Sequence, residues 1–379
     1  MPIDLNELLM VAVQRQASDL HLKVGAPPVL RIDHELVPLQ DRPRLDHADL
    51  ASVVSLVTTD RQRQQFAKRR ELDLGYGVPG LGRFRANLFQ QRGALAMAFR
   101  VIPLQIQTIE ELNLPPVIAT LAMEPRGMLV VTGPAGSGKS TTLAAMIEHI
   151  NNHGTGHILI IEDPIEFLHH DKRCMINQRE VGIDTGSFAE ALRSALRQDP
   201  DVILVGEMRD FDTVNTALIA AETGHLVMST LHTIDAAETV NRIIAIFPPY
   251  QQKQIRLQLA SVLRGIISMR LIPRADGKGR VPAVEVMVST ATTRECIAEP
   301  DKTRKLVEVI GAGGSEYGMQ TFDQSLTSLY QHGLVTYEEA LRWCSNPNDF
   351  ALRVRGIESA GDQPWSAERK GSLLGRQRP

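Results

Sequence analysis

Residues 131–142 read VTGPAGSGKSTT, and within them the pattern G-x-x-x-x-G-K-[ST] is complete as Gly133, Gly138, Lys139 and Ser140. An apolar run, Met128 to Val131, precedes the loop as a buried strand. Thr141 to Ile150 follows with Leu143, Met146, Ile147 and Ile150 at helical spacing. Strand, glycine-rich loop and helix in that order predict a phosphate-binding turn. The glycines let successive backbone N–H groups point inward where a Cβ would obstruct them, and the helix N-terminus adds partial positive charge. The expected cradle is Gly133, Pro134, Ala135, Gly136, Ser137, Gly138, Lys139, Ser140 and Thr141. Lys139 is expected to reach the outer phosphates, and the Ser140 hydroxyl to ligate Mg²⁺.

The rest of the composition fits such an α/β protein. At 379 residues the chain is long enough for two or three domains with real cores. Its formal charge of -3 gives no sign of a polyanion-binding surface. Cys174, Cys296 and Cys344 lie too far apart for a C-x-x-C zinc site, and a disulfide framework is not expected. The start, MPIDLNELLM, lacks the basic and apolar regions of a signal peptide, and no apolar run of about 18 residues occurs. A cytoplasmic protein is expected, with any membrane association made through a partner.

The first hundred residues read as a small α+β domain. Asp4 and Glu7 form a capping-box pattern ahead of Leu5, Leu8, Leu9 and Ala12 on one helix face. LHLKVG, PVLRID and HELVPL alternate as short strands, and helices are expected over 46–57 and 60–70. GRFRANLFQQRG and ALAMAFRVIP read as a hairpin turning at Arg92-Gly93. We expect an N-terminal domain over 1–102, a proline-bearing linker over 103–116, a phosphate-loop domain with C-terminal helices over 117–355, and a disordered tail over 356–379. From about Val117, strands at 128–132, 157–162, 201–206 and 225–230 alternate with helices, which predicts a mostly parallel sheet covered on both faces. Ser187 with Glu190, and Asp235 with Glu238, are further capping-box patterns.

Hydrolysis needs carboxylates as well as a phosphate loop. DVILVGE, residues 201–207, is an apolar strand that delivers Glu207 beside the expected metal's water shell. IIEDPIEF brings Glu162, Asp163 and Glu166 together after another apolar strand. Three carboxylates so close repel one another, so a cation or basic partners are expected nearby. Strand geometry alone favours Glu162 or Asp163, which lie nearer the strand end, as the group that directs water.

Taken in order, GPAGSGKST, IIEDPIEF, DVILVGEMRD and TGHLVMSTLHT resemble the Walker A, aspartate box, Walker B and histidine box of the secretion-type hexameric ATPases. ASDLHL, GRFRANLFQQRG and YGMQTFDQSL extend the resemblance to the type IV pilus retraction ATPases, the PilT group, along nearly the full chain. The resemblance implies a RecA-like P-loop ATPase core in α/β style, with a smaller PAS-like N-terminal domain. It implies ATP and Mg²⁺ as cofactors, with Glu166 as general base and Glu207 organising the metal's water. His225 and His232 match the histidine box and are expected to sense the γ-phosphate or couple subunits. Arg85 and Arg100, with Arg83 as a weaker match, are expected to approach the nucleotide from the N-terminal domain as arginine fingers. A homo-hexamer, an inner-membrane pilus platform protein and a paralogous retraction ATPase are the implied partners.

The chain departs from that group where it carries TTRECIAE, Thr292 to Glu299, in place of AIRNLIRE. An accessory retraction ATPase is therefore an alternative reading, as is a nucleotide-gated scaffold. A pilus extension or secretion ATPase is expected to carry a four-cysteine metal site, which this chain lacks. A nucleic-acid motor is expected to show basic loops and stacking aromatics, yet aromatic residues make up 4% of the chain.

Overall fold

Short alternating segments build the first of two compact units in the structure, a computed structural model that describes residues 3–32, 35–102 and 105–354. The helix α1 (Leu5–Gln14) leads into β1 (Asp19–Lys23), β2 (Val29–Ile32) and β3 (Glu35–Pro38). Then come α2 (His47–Val57), α3 (Asp60–Arg69), β4 (Glu71–Val78), β5 (Gly82–Gln91) and β6 (Ala94–Val101). The six strands form one sheet in the order β3-β2-β1-β6-β5-β4, antiparallel throughout. Leu20, Leu30, Phe84, Leu88 and Phe99 line its buried face with Leu5, Leu9 and Leu50 of the helices. The expected hairpin turns at Arg92 and Gly93, both with positive φ (49° and 78°), the conformation that suits a two-residue connection between right-twisted strands. Asp4 caps α1 as expected, but Glu7 does not complete the box: its carboxylate takes both Arg42 guanidinium bonds instead, at 2.6 and 3.3 Å. Complete boxes form at α2 and α3.

The strand β4 is absent from the sequence expectations because Gly75 and Gly77 dilute its alternation. Segments 161–170 and 178–187 also belong to this first unit, so the IIEDPIEF loop groups with the N-terminal residues.

The second unit opens at Gln107. Part of the stretch read as a linker is packed, since Ile109 and Leu114 are buried in this unit's core. Its elements are α4 (Val117–Ala122), β7 (Gly127–Thr132), α5 (Lys139–His153), β8 (His157–Glu162), β9 (Met175–Glu180), α6 (Phe188–Ala195), β10 (Val202–Val205), α7 (Phe211–Glu222), β11 (Leu226–Leu231), α8 (Ala236–Ala245) and α9 (Gln252–Val262). They are followed by β12 (Leu263–Pro273), β13 (Arg280–Val288), α10 (Ala291–Ala298), α11 (Leu306–Ala312), α12 (Gly314–Tyr317), α13 (Phe322–Gln331), α14 (Tyr337–Trp343) and α15 (Pro347–Val354). The sheet runs β13-β12-β7-β11-β10-β8-β9. The β12–β7, β7–β11 and β11–β10 pairs are parallel, and β13 closes the edge antiparallel to β12. Every residue of β7 and β11 is buried, as a central parallel strand covered on both faces requires. Against β12 and β13 a smaller cluster of Phe322, Leu326, Leu329 and Phe350 seats α13 and α15. The expected tail, 356–379, lies outside the described residues.

Candidate nucleotide site

The phosphate loop follows β7, in the position that G-x-x-x-x-G-K-[ST] predicts. Gly133 has φ 144°, and a Cβ there would fall 2.5 Å from the Met269 carbonyl of β12 and 2.5 Å from the Ser137 hydroxyl. Gly136 and Gly138 also have positive φ, 75° and 97°. Gly138 is the N-cap of α5 and offers no side chain to the first-turn N–H groups, which stay available to an anion. Lys139, 9% exposed, bends back so that Nζ donates to the carbonyls of Gly133 at 2.9 Å and Pro134 at 3.0 Å. Its ammonium thus sits at the loop's centre. The Ser137 hydroxyl, close beside Gly133, is buried with no hydrogen-bond partner. These features fit a nucleotide polyphosphate.

Beside the loop, β10 carries Glu207 past its end on Gly206. The Ser229 hydroxyl donates to Val205 O at 2.7 Å and the Thr230 hydroxyl to Gly206 O at 2.6 Å, tying the end of β10 to β11. That tie places His232 Nε2 4.0 Å from the Glu207 carboxylate, which also pairs with Arg209 at 2.7 Å. Burial pushes the His232 imidazole below its ordinary value, the positive charges of Lys139 and Arg209 add to this, and Glu207 opposes them. The imidazole is therefore biased toward its neutral form within the field of Lys139. Arg209 is a member of this cluster that the motif reading passed over, although it lies within DVILVGEMRD.

His225 is placed elsewhere. It precedes β11, so six strand residues, about 20 Å, separate it from His232. Its Nδ1 lies 2.9 Å from Ala220 O and its carbonyl accepts from Gly127 N–H. Of the two histidines expected to sense the γ-phosphate or couple subunits, His232 lies beside Glu207 and Lys139, whereas His225 braces the opposite end of β11.

The aspartate-box loop is part of the first unit. The Asp163–Pro164 peptide is cis, Asp163 is exposed, and Glu162 and Glu166 are half-buried. Burial pushes the Glu162 carboxyl up to about 8, Glu166 adds to the shift, and the Glu166 backbone N–H and Arg83 oppose it. The basic partner expected for this acidic cluster is therefore Arg83. Its guanidinium is ion-paired with Glu180, a residue with no signal in any motif. Arg85 and Arg100 face each other across β5 and β6 in direct register. Arg100 Nε bonds Asp19 at 3.0 Å, and Arg85 Nε lies 3.9 Å from Asp73. Their side chains are 69% and 43% exposed, on the outer face of the first unit's sheet.

Among the described residues no cluster of three or more His, Cys, Asp or Glu is arranged to hold a metal by itself. No described helix is long and apolar enough to cross a membrane.

The family described as type II/IV secretion system protein matches residues 98–342. The type IV pilus retraction ATPase PilT of Pseudomonas aeruginosa is 46% identical over 92% of this chain and 100% of its own. This chain belongs to that family, among the pilus retraction ATPases. The type IV pilus ATPase PilU of the same organism is 40% identical over 95% of this chain and 94% of its own. The crystal structure of the pilus retraction motor PilT with bound ADP superposes with a TM-score of 0.84, at 46% identity, over 92% of this chain and 98% of that one. The family's N-terminal and C-terminal domains correspond to the antiparallel and mostly parallel sheets described above, an α/β architecture throughout.

Proposed function

We propose that this chain is an ATP-hydrolysing motor that drives type IV pilus retraction, the activity of twitching motility. The observation that carries the reading is the convergence of Lys139, Glu207 and His232 at the mouth of a glycine loop shaped for phosphates. The similarity to PilT over nearly the whole chain gives that site its mechanical setting. Lys139 and the N–H groups of 133–141 bind the ATP phosphates, and His232 senses the γ-phosphate. Ser140 and, through water, Glu207 hold Mg²⁺, which when bound neutralises charge on the phosphates. Glu166 serves as general base, taking the proton from the attacking water, and Arg85 and Arg100 act as arginine fingers.

The working form in this proposal is a homo-hexamer in the cytoplasm, held peripherally at the inner membrane through the pilus platform protein. A PilU-like paralogue is a further partner. The two compact units supply the mobile halves, and ATP turnover drives their relative motion.

The test is steady-state ATP hydrolysis by purified protein beside Lys139→Ala and Glu166→Gln, with oligomer mass measured in the same buffer. Turnover by a hexamer, lost in both variants, is expected. Nucleotide binding without turnover by the wild type would overturn the motor reading and assign the chain an accessory role.

A further inference from the structure

An enclosed ion pair underlies the aspartate-box loop of the first unit. Arg83 on β5 and Glu180 at the end of β9 form it, with side chains 17% and 3% exposed. Burying two charges is costly, so such a pair persists where its hydrogen bonds are well used. Those bonds show what it holds. Glu180 Oε2, the atom that receives Arg83, also accepts from the Ile165 N–H at 3.1 Å. Oε1 accepts from the Gly75 N–H at 3.3 Å. Ile165 is the residue immediately before Glu166.

The neighbouring backbone is shaped for the pair. A Cβ at Gly75 would lie 2.5 Å from the Arg83 guanidinium and 2.8 Å from the Glu180 carboxylate. Gly77 stands directly opposite Arg83 in the β4–β5 ladder. The Glu180 end is fixed from behind, its own N–H donating to Asp184 at 2.8 Å and the Val181 N–H donating to Glu162 O at 2.9 Å.

We infer that Arg83 and Glu180 form a bracket that positions the aspartate-box loop, with Glu180 holding Glu166 in its working place through the Ile165 N–H. The inference rests on the reading of Glu166 as the general base. It argues against Arg83 as an arginine finger, because its Nη2 is taken by Glu180 and its Nε is buried. The bracket's charges also bear on the acid pair. Glu162 faces Glu166 on its own loop, Arg83 from β5 and Glu180 from β9; Arg83 lowers its proton affinity and Glu180 raises it.

The deciding experiment measures kcat and KM for ATP against pH in the full chain, for the wild type, Glu180→Gln and Arg83→Met. Amide hydrogen exchange across 161–167 is followed in parallel. Glutamine keeps the side chain's volume but has a single acceptor oxygen, so it cannot serve both Gly75 and Ile165. For Glu180→Gln, kcat is expected to fall about tenfold or more with KM nearly unchanged, the mark of a misplaced base. Exchange at Ile165 is expected to quicken in Glu180→Gln.

A fall in kcat matched by a comparable change in KM, or exchange at Ile165 unchanged in Glu180→Gln, would leave the pair a plain structural tie and overturn the bracket. Absence of turnover in the wild type would defeat the ATPase reading instead. In that event unchanged exchange at Ile165 would still overturn the bracket, and faster exchange would support it.

Discussion

A lysine whose ammonium is already held by two loop carbonyls has only to exchange them for phosphate oxygens, so Lys139 is in position before ATP arrives. Removing a charge-assisted donor of this kind is expected to weaken nucleotide affinity about ten- to a hundredfold in Lys139→Ala, read by calorimetric titration with ATP. Unchanged affinity would dismiss the phosphate-loop assignment. The two glutamates of the aspartate box make a sharper contrast. With its carboxyl pushed up to about 8, Glu162 carries its proton at neutral pH and is poorly suited to accept another. Glu162→Gln copies that protonated form and is expected to keep most of the turnover at pH 7. Glu166→Gln is expected to keep ATP binding while slowing hydrolysis by ~10² or more. A larger loss in Glu162→Gln would transfer the base to that residue. The sequence left Glu162, Asp163 and Glu166 as alternatives because spacing along a loop says nothing of which carboxyl is buried. Arg83 and Glu180, 97 residues apart, form a contact that no local pattern encodes.

At the scale of elements, what could be read in advance was whatever repeats locally. The apolar runs that became β7, β8, β10 and β11 announced themselves, as did the helix following the glycine loop, because a buried parallel strand is apolar along its whole length. Three strands were silent for separate reasons. Glycines break the alternation of β4, β9 is the polar sequence MINQRE, and β12 continues without a break from the helix α9. The loss of β12 matters most for the site, since its Met269 carbonyl is the wall against which Gly133 is packed. That contact carries a prediction about the β7–β12 junction. Gly133→Ala must move backbone rather than a side-chain tip and must hold alanine at φ 144°, so a cost of about 1–3 kcal/mol is expected. Denaturant unfolding would show it as a lower midpoint accompanied by weaker ATP binding. A midpoint equal to the wild type's would mean that the loop yields, and the glycine would then be needed for phosphate approach alone. The departure TTRECIAE falls on α10, where Cys296 and Ile297 point into the core while Arg294, Glu295 and Glu299 are exposed. Its exposed positions are free to differ without disturbing the hydrogen bonds around Lys139.

At the scale of the whole molecule, each compact unit carries a carboxyl whose proton affinity is raised, the half-buried Glu162 in the first and the buried Glu285 in the second. Glu285 is 4% exposed on β13, accepting from the Ala236 N–H at 2.9 Å and the Ser268 hydroxyl at 3.5 Å. Burial pushes it from an ordinary 4.5 up to about 7, Asp235 adds to the shift, and the Ala236 N–H, Arg270 and Ser268 oppose it. The folded state therefore keeps a proton that the unfolded chain has released, and stability falls as pH rises between those two values and levels off above the folded one. Histidines with lowered proton affinity, such as His232, contribute with the opposite sign, so the total profile does not isolate Glu285. A difference between two proteins does. Glu285→Gln retains an acceptor for the Ala236 N–H and removes the titrating proton. Its melting temperature relative to the wild type is expected to climb as pH is raised from 5 to about 7 and to stay level beyond, with the variant the more stable at pH 8. A difference independent of pH across calorimetric scans from pH 5 to about 8.5 would show that Glu285 holds one protonation state throughout. The α8 N-terminus, four residues beyond His232, would then rest on a fixed charge rather than a titrating one.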